Sequence, residues 1–81
     1  MPKVLLWRGY RFHFFSNEGD PLEPVHIHIQ KGNNRAKFWL DPFIALEYNY
    51  GYSGKELNEF HNVIEENEEL IRSKWDEYFN Y

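Results

Sequence analysis

The chain has 81 residues, of which 42% are hydrophobic and 20% aromatic, with no cysteine and a formal net charge of −4. So short a chain forms one core, because two would each bury too little surface, and the expectation is a single α+β domain over 1–81 whose bulk comes from seven Phe, six Tyr and three Trp. The lack of cysteine excludes disulfides and thiolate metal sites. No apolar run is long enough to cross a bilayer, and Met1-Pro2-Lys3 leads straight into Val4-Leu5-Leu6-Trp7 without signal-peptide architecture, so the expected location is the cytoplasm.

In chain order, Val4 to Trp7 precedes Gly9 and reads as the hairpin partner of Tyr10-Arg11-Phe12-His13-Phe14-Phe15, where aromatic and polar residues alternate with the period of a half-buried strand. Ser16 to Pro24 concentrates Asn, Gly, Asp and Pro and forms the longest loop. Val25-His26-Ile27-His28-Ile29-Gln30 alternates again. Gly32-Asn33-Asn34 is a hairpin turn, and Arg35 to Leu40 supplies the next strand. After Asp41-Pro42, the segment Phe43 to Tyr50 fits either a fifth strand or a short helix. The sheet therefore has four to five antiparallel strands over about residues 3–50. Ser53-Gly54-Lys55-Glu56 fits a capping box and starts a helical segment over about 53–80. Leu57, Phe60, Ile64, Ile71, Trp75 and Tyr78 form its apolar stripe, interrupted at Asn67 and Glu68. Unbroken, it would run about 42 Å, longer than a small domain of about 30 Å. Either it breaks near Asn67 into a helix pair covering one face of the sheet, or it overhangs and packs on a second copy as a homodimer.

Charge is unevenly placed. Residues 53–81 hold eight acids against three bases, whereas residues 1–52 hold six bases against five acids. Acidity thus sits in the helical third, and the sheet is left able to present a basic surface.

Residues two apart on a strand share a face. His26 and His28 therefore lie side by side, Arg11 pairs with His13, and Arg35, Lys37 and Trp39 follow one another. With Val25, Ile27 and Ile29 turned to the helix, these polar side chains collect on the opposite face. Three chemistries suit them. Histidine changes charge near neutral pH, so His26, His28 and His13 are candidate general acid and base groups for metal-independent RNA cleavage. Arg11, Arg35 and Lys37 are candidate phosphate contacts, with Trp39 as a base-stacking platform or an interface residue. A divalent metal ion is the alternative, held by His26 and His28 with a third ligand such as Glu18, His13 or Glu23. An antiparallel sheet also solvates one face with no function attached. His61, beside Phe60, reads as a surface or boundary residue.

The segments MPKVLLWRGYRFHFFSNEG, PVHIHI, AKFWLDP and YNYGYSGKEL, with the closing Trp75-Asp76-Glu77-Tyr78-Phe79, together resemble the bacterial domain of unknown function 4160 over almost the whole chain. Members typically carry a Glu-His-x-Pro-Pro-His-Val-His-type block. Here Gly19 follows Glu18 and the loop reads GDPLEP, so the first histidine and the paired prolines are missing, while His26 and His28 match the two terminal histidines. The resemblance implies a prokaryotic protein whose gene sits beside a second small gene in a toxin–antitoxin-like arrangement, and hence a cognate small protein partner. The expectation is one half of such a module, with the His/Arg/Lys face contacting RNA or that partner. A metal- or small-ligand-binding protein and a non-catalytic interaction module are the alternatives.

Overall fold

Two tight turns organise the first four strands. Arg8 and Gly9 both take positive φ, 49° and 83°, as a two-residue turn twisted to suit paired strands requires. They join β1 (Lys3–Trp7) to β2 (Tyr10–His13), with Trp7 opposite Tyr10. Gly32, at φ 60°, opens the turn between β3 (His26–Lys31) and β4 (Asn34–Trp39), where Lys31 stands opposite Asn34. The chain is seen in a computed structural model that describes residues 3–15 and 23–79. Glu18, Asp20 and most of the expected long loop lie outside the described residues.

The segment after Asp41-Pro42 is a strand, β5 (Ala45–Tyr50), paired with β4. The sheet is antiparallel throughout and ordered β1-β2-β3-β4-β5. Five strands are therefore present among the described residues, the upper end of the expected range. A register shift on β5 sets Tyr48 opposite Lys37 and Leu46 opposite Phe38. Glu47 is the extra residue of this bulge.

Ser53 caps α1 (Gly54–Glu66) as its sequence suggests. Its hydroxyl accepts from the Glu56 amide at 3.2 Å, and the Ser53 amide donates to the Glu56 carboxylate at 2.9 Å. The helix breaks at Asn67, whose backbone leaves the helical region at φ −115° and ψ 20°. Its side-chain amide donates at 2.8 Å to the Val63 carbonyl, which also accepts from the Asn67 backbone amide at 3.0 Å, and α2 (Glu68–Phe79) begins at once. The break keeps the longest dimension to 36 Å.

Phe12, Phe14, Ile27, Ile29, Phe38 and Leu40 are buried from the sheet side, and Phe60, Ile64, Ile71 and Trp75 meet them from the helices, with Leu57 partly buried. The apolar stripe ends differently from the sequence expectation. Tyr78 is exposed, and Phe79, four residues after Trp75 with ring centroids 4.3 Å apart, is buried instead. Arg72 ties α2 to the β4–β5 connection, donating to Asp41 at 2.7 Å and to the Leu40 carbonyl at 3.3 Å, while Glu68 one turn earlier holds the same guanidinium.

Candidate functional site

The pairing register lays three rows of side chains across the face of the sheet turned away from α1. Arg11, Gln30, Arg35 and Tyr50 form one row over β2 to β5, and Leu6 of β1 stands opposite Arg11. His13, His28, Lys37 and Tyr48 form the next, and His26 and Trp39 the third. Every sequence-derived site residue that the structure describes is on one of these rows except Glu23, which precedes β3. The rows themselves differ in kind.

The histidine rows are packed. His13, His26 and His28 are 5%, 0% and 4% exposed. His28 is central, with ring centroids 5.8 Å from His13 and 5.3 Å from His26. The Phe15 ring lies 4.1 Å from His28, and the Tyr48 hydroxyl is 3.3 Å from its Nδ1. His26 reaches the end of the sheet, where Trp39 and Trp75 of α2 stand 5.2 and 5.0 Å from it and the Pro24 carbonyl is 3.0 Å from its Nδ1. The plain solvated face that alternation allows is therefore corrected at these positions. Sheet pleating puts the histidines opposite Ile27 and Ile29, yet aromatic neighbours cover them too, and β3 is buried on both sides.

The outer row is open. Arg11 and Arg35 are exposed and form no ion pair among the described residues. Tyr50 is 58% exposed, with the Arg35 guanidinium 5.4 Å from its ring centre, and Leu6 is 59% exposed. Lys37 connects the two kinds of row. Its side chain is only 13% exposed, and its ammonium lies 4.2 Å over Trp39 and 3.8 Å from Glu23, so a phosphate reaching Lys37 has to displace that carboxylate. Half-buried, Trp39 is packed by that lysine on the ring and by His26 at the side.

Sequence reasoning missed Phe15, Tyr48 and Tyr50. The signal for the two tyrosines is the spacing Tyr48-Asn49-Tyr50, which puts both on one face once the segment is a strand. Phe15 follows by the same rule from His13. As for a metal, no group of three His, Asp or Glu side chains is arranged to hold an ion among the described residues, and Glu18 lies outside them.

Chemically, the arrangement offers exposed guanidinium groups beside an exposed phenol ring, above a packed histidine layer. No curated protein and no solved structure matches the chain. A family model does match, over residues 9–76, spanning the basic row, the histidines and most of both helices. The chain belongs to that family, described as a domain of unknown function (DUF4160).

Proposed function

We propose that this protein binds single-stranded RNA on the outer face of its sheet, as one half of a toxin–antitoxin-like module with a cognate small protein partner. One observation carries the binding: the register row Arg11, Gln30, Arg35 and Tyr50 is a continuous strip of cations, an amide and an aromatic ring across four strands. Its exposed members can meet phosphate and base together. Backbone phosphates supply sequence-independent affinity to Arg and Lys, and aromatic rings add stacking to any base. The partner rests on the gene-pair habit that the family resemblance implies. The helical acids oppose binding, but they belong to the other side of the sheet, and charges are screened within about 8–10 Å at physiological salt.

The test is binding of short oligoribonucleotides at several salt concentrations. A phosphate on each of Arg11, Arg35 and Lys37 sets a logarithmic salt slope of about −2 for a single strand, and a phosphate on Arg35 and Lys37 alone sets about −1.4. Arg35→Ala lowers the affinity and flattens the slope by about 0.7. Absence of binding at low salt by the intact protein overturns the RNA reading and leaves the partner protein as the use of this face.

A second reading, RNA cleavage by His13, His26 and His28 as general acid and base, is favoured by the ring spacing of 5.3 and 5.8 Å. It requires Phe15 and Tyr48 to move off His28. Cleavage with chelator present that disappears in His28→Ala supports it, and cleavage that survives in both His26→Ala and His28→Ala removes it.

A further inference from the structure

Resting on the RNA reading above, the geometry points to a path: the RNA strand runs lengthwise along β4 and β5, with Arg35 and Lys37 on successive phosphates and Tyr50 as the base-stacking platform. Two directions are open to an extended polymer on this face, across the rows or along them. Across the row, Arg11 and Arg35 are separated by Gln30 of β3, so the two cations stand about 10 Å apart, two interstrand spacings. Along β4, Arg35 and Lys37 are two residues apart on one face, about 6.7 Å. The shorter interval suits neighbouring phosphates of an extended single strand.

Pairing then sets a ring beside each cation. Tyr50 stands opposite Arg35 and Tyr48 opposite Lys37. The two tyrosine rings lie 5.3 Å apart and inclined by 50°, and Lys37 continues onto Trp39 at 4.2 Å. Cation and ring therefore alternate between two adjacent strands for about three steps. Their roles differ. Tyr48 is half-buried with its hydroxyl on His28, which fixes the ring, while Tyr50 is largely exposed at the end of the ladder. In the sheet order β5 is terminal, so no strand of the described residues stands beyond Tyr50 to crowd a stacked base. The packed histidine layer beneath Tyr48 is a positioning element for this ladder. Arg11, off the path, contributes long-range attraction.

Arginine and lysine side chains select a polyanion, and the rings select one that carries bases, so the occupant is single-stranded nucleic acid rather than an acidic protein. The experiment measures affinity for a homopolymeric oligoribonucleotide, for the same oligomer with abasic sites, and for poly-glutamate, using the intact protein and the Tyr50→Leu, Tyr50→Phe and Arg11→Ala variants. Thermal unfolding of each variant checks its fold. Tyr50→Leu is expected to weaken the base-containing oligomer about 5- to 150-fold, the range for loss of one stacked base. Tyr50→Phe should keep most of the affinity, and the abasic oligomer should not register Tyr50→Leu. Arg11→Ala should weaken binding less than Tyr50→Leu does, with the loss largest at low salt and fading as salt rises. If the intact protein binds RNA but Tyr50→Leu is as tight, or Arg11→Ala is the more damaging of the two, the path is wrong while the RNA surface stands. Failure of the intact protein to bind any oligomer removes both, and poly-glutamate binding equal to RNA and indifferent to Tyr50 assigns the face to an acidic protein.

Discussion

Phe60 shows how much a single side chain does in so small a core. It is fully buried, and its ring meets those of Trp7, Tyr10, Phe12 and Tyr52 at centroid distances of 4.8 to 6.4 Å. One residue of α1 thus joins β1, β2 and the entry to the helix. Phe60→Ala should cost about 3–5 kcal/mol, a large share of the stability of a domain of this length. Denaturant unfolding measures it, and a loss under 1 kcal/mol would mean that the cluster repacks around the gap. Gly51 carries a different constraint. Its φ of 99° is left-handed, and an added Cβ would meet the Asn34 side chain. Gly51→Ala is expected to destabilise by more than about 1 kcal/mol, seen as a lower midpoint with an unchanged denaturant slope.

At the level of elements, the start of α1 couples helix to hairpin through one carboxylate. Glu56 takes the Ser53 amide on one oxygen and the Tyr10 hydroxyl, at 2.6 Å, on the other. The capping bond from Ser53 and then the Tyr10 bond lower the Glu56 carboxyl below its usual range. A lowered carboxyl adds stability above its unfolded pKa, and that stability is lost as pH falls through the folded value. The window therefore lies below about pH 4.5, the ordinary value. Glu56→Gln keeps the hydrogen-bonding shape without the charge, so its stability deficit against the parent should shrink as pH drops below that point. A deficit constant from pH 7 to 3 would show that the charge is idle. This cap was legible in the sequence because Ser53 and Glu56 act within four residues. The break at Asn67 was legible only as one of two alternatives, since the apolar stripe fails there but an overhanging helix packed on a second copy accounts for the same pattern. Period-two alternation likewise gave β2, β3 and β4 and their core faces. The segment after Asp41-Pro42 was not legible: Phe43 to Tyr50 mixes Ile, Leu and Tyr without clean alternation, and the bulge at Glu47 is the physical reason. That ambiguity concealed Tyr48 and Tyr50. The buried state of the histidines was equally hidden, because strand parity gives the side of a sheet and says nothing of what lies over it.

Across the whole molecule, Tyr52 is the joint between sheet and helices. Its hydroxyl donates to the Asn34 carbonyl of β4 at 2.9 Å, and its ring edges against Tyr10 of β2 and Phe60 of α1. Asn49 of β5 clasps its backbone, accepting from the Tyr52 amide at 3.1 Å and donating to its carbonyl at 2.9 Å. Three strands and a helix thus converge on one residue. Burial, the main cause, pushes the Tyr52 phenol up to about 12 from an ordinary value of 10. A raised pKa adds stability that is fully present below the unfolded value and is lost as pH rises through the folded one. Stability from Tyr52 is therefore constant up to about pH 10 and disappears between about 10 and 12. Tyr10, raised chiefly by its hydrogen bond to Glu56, acts in the same direction, so the two must be separated by substitution. Tyr52→Phe leaves the Asn34 carbonyl without its donor and should destabilise the protein at pH 7 by about 1–3 kcal/mol. Because phenylalanine does not ionise, the parent should lose stability faster than the variant above pH 10, and the gap between their unfolding free energies should close by pH 12. Parallel curves from pH 7 to 12 would show that Tyr52 ionises in the folded state as freely as in the unfolded chain, and the joint would then be held by ring packing and the Asn49 clasp alone.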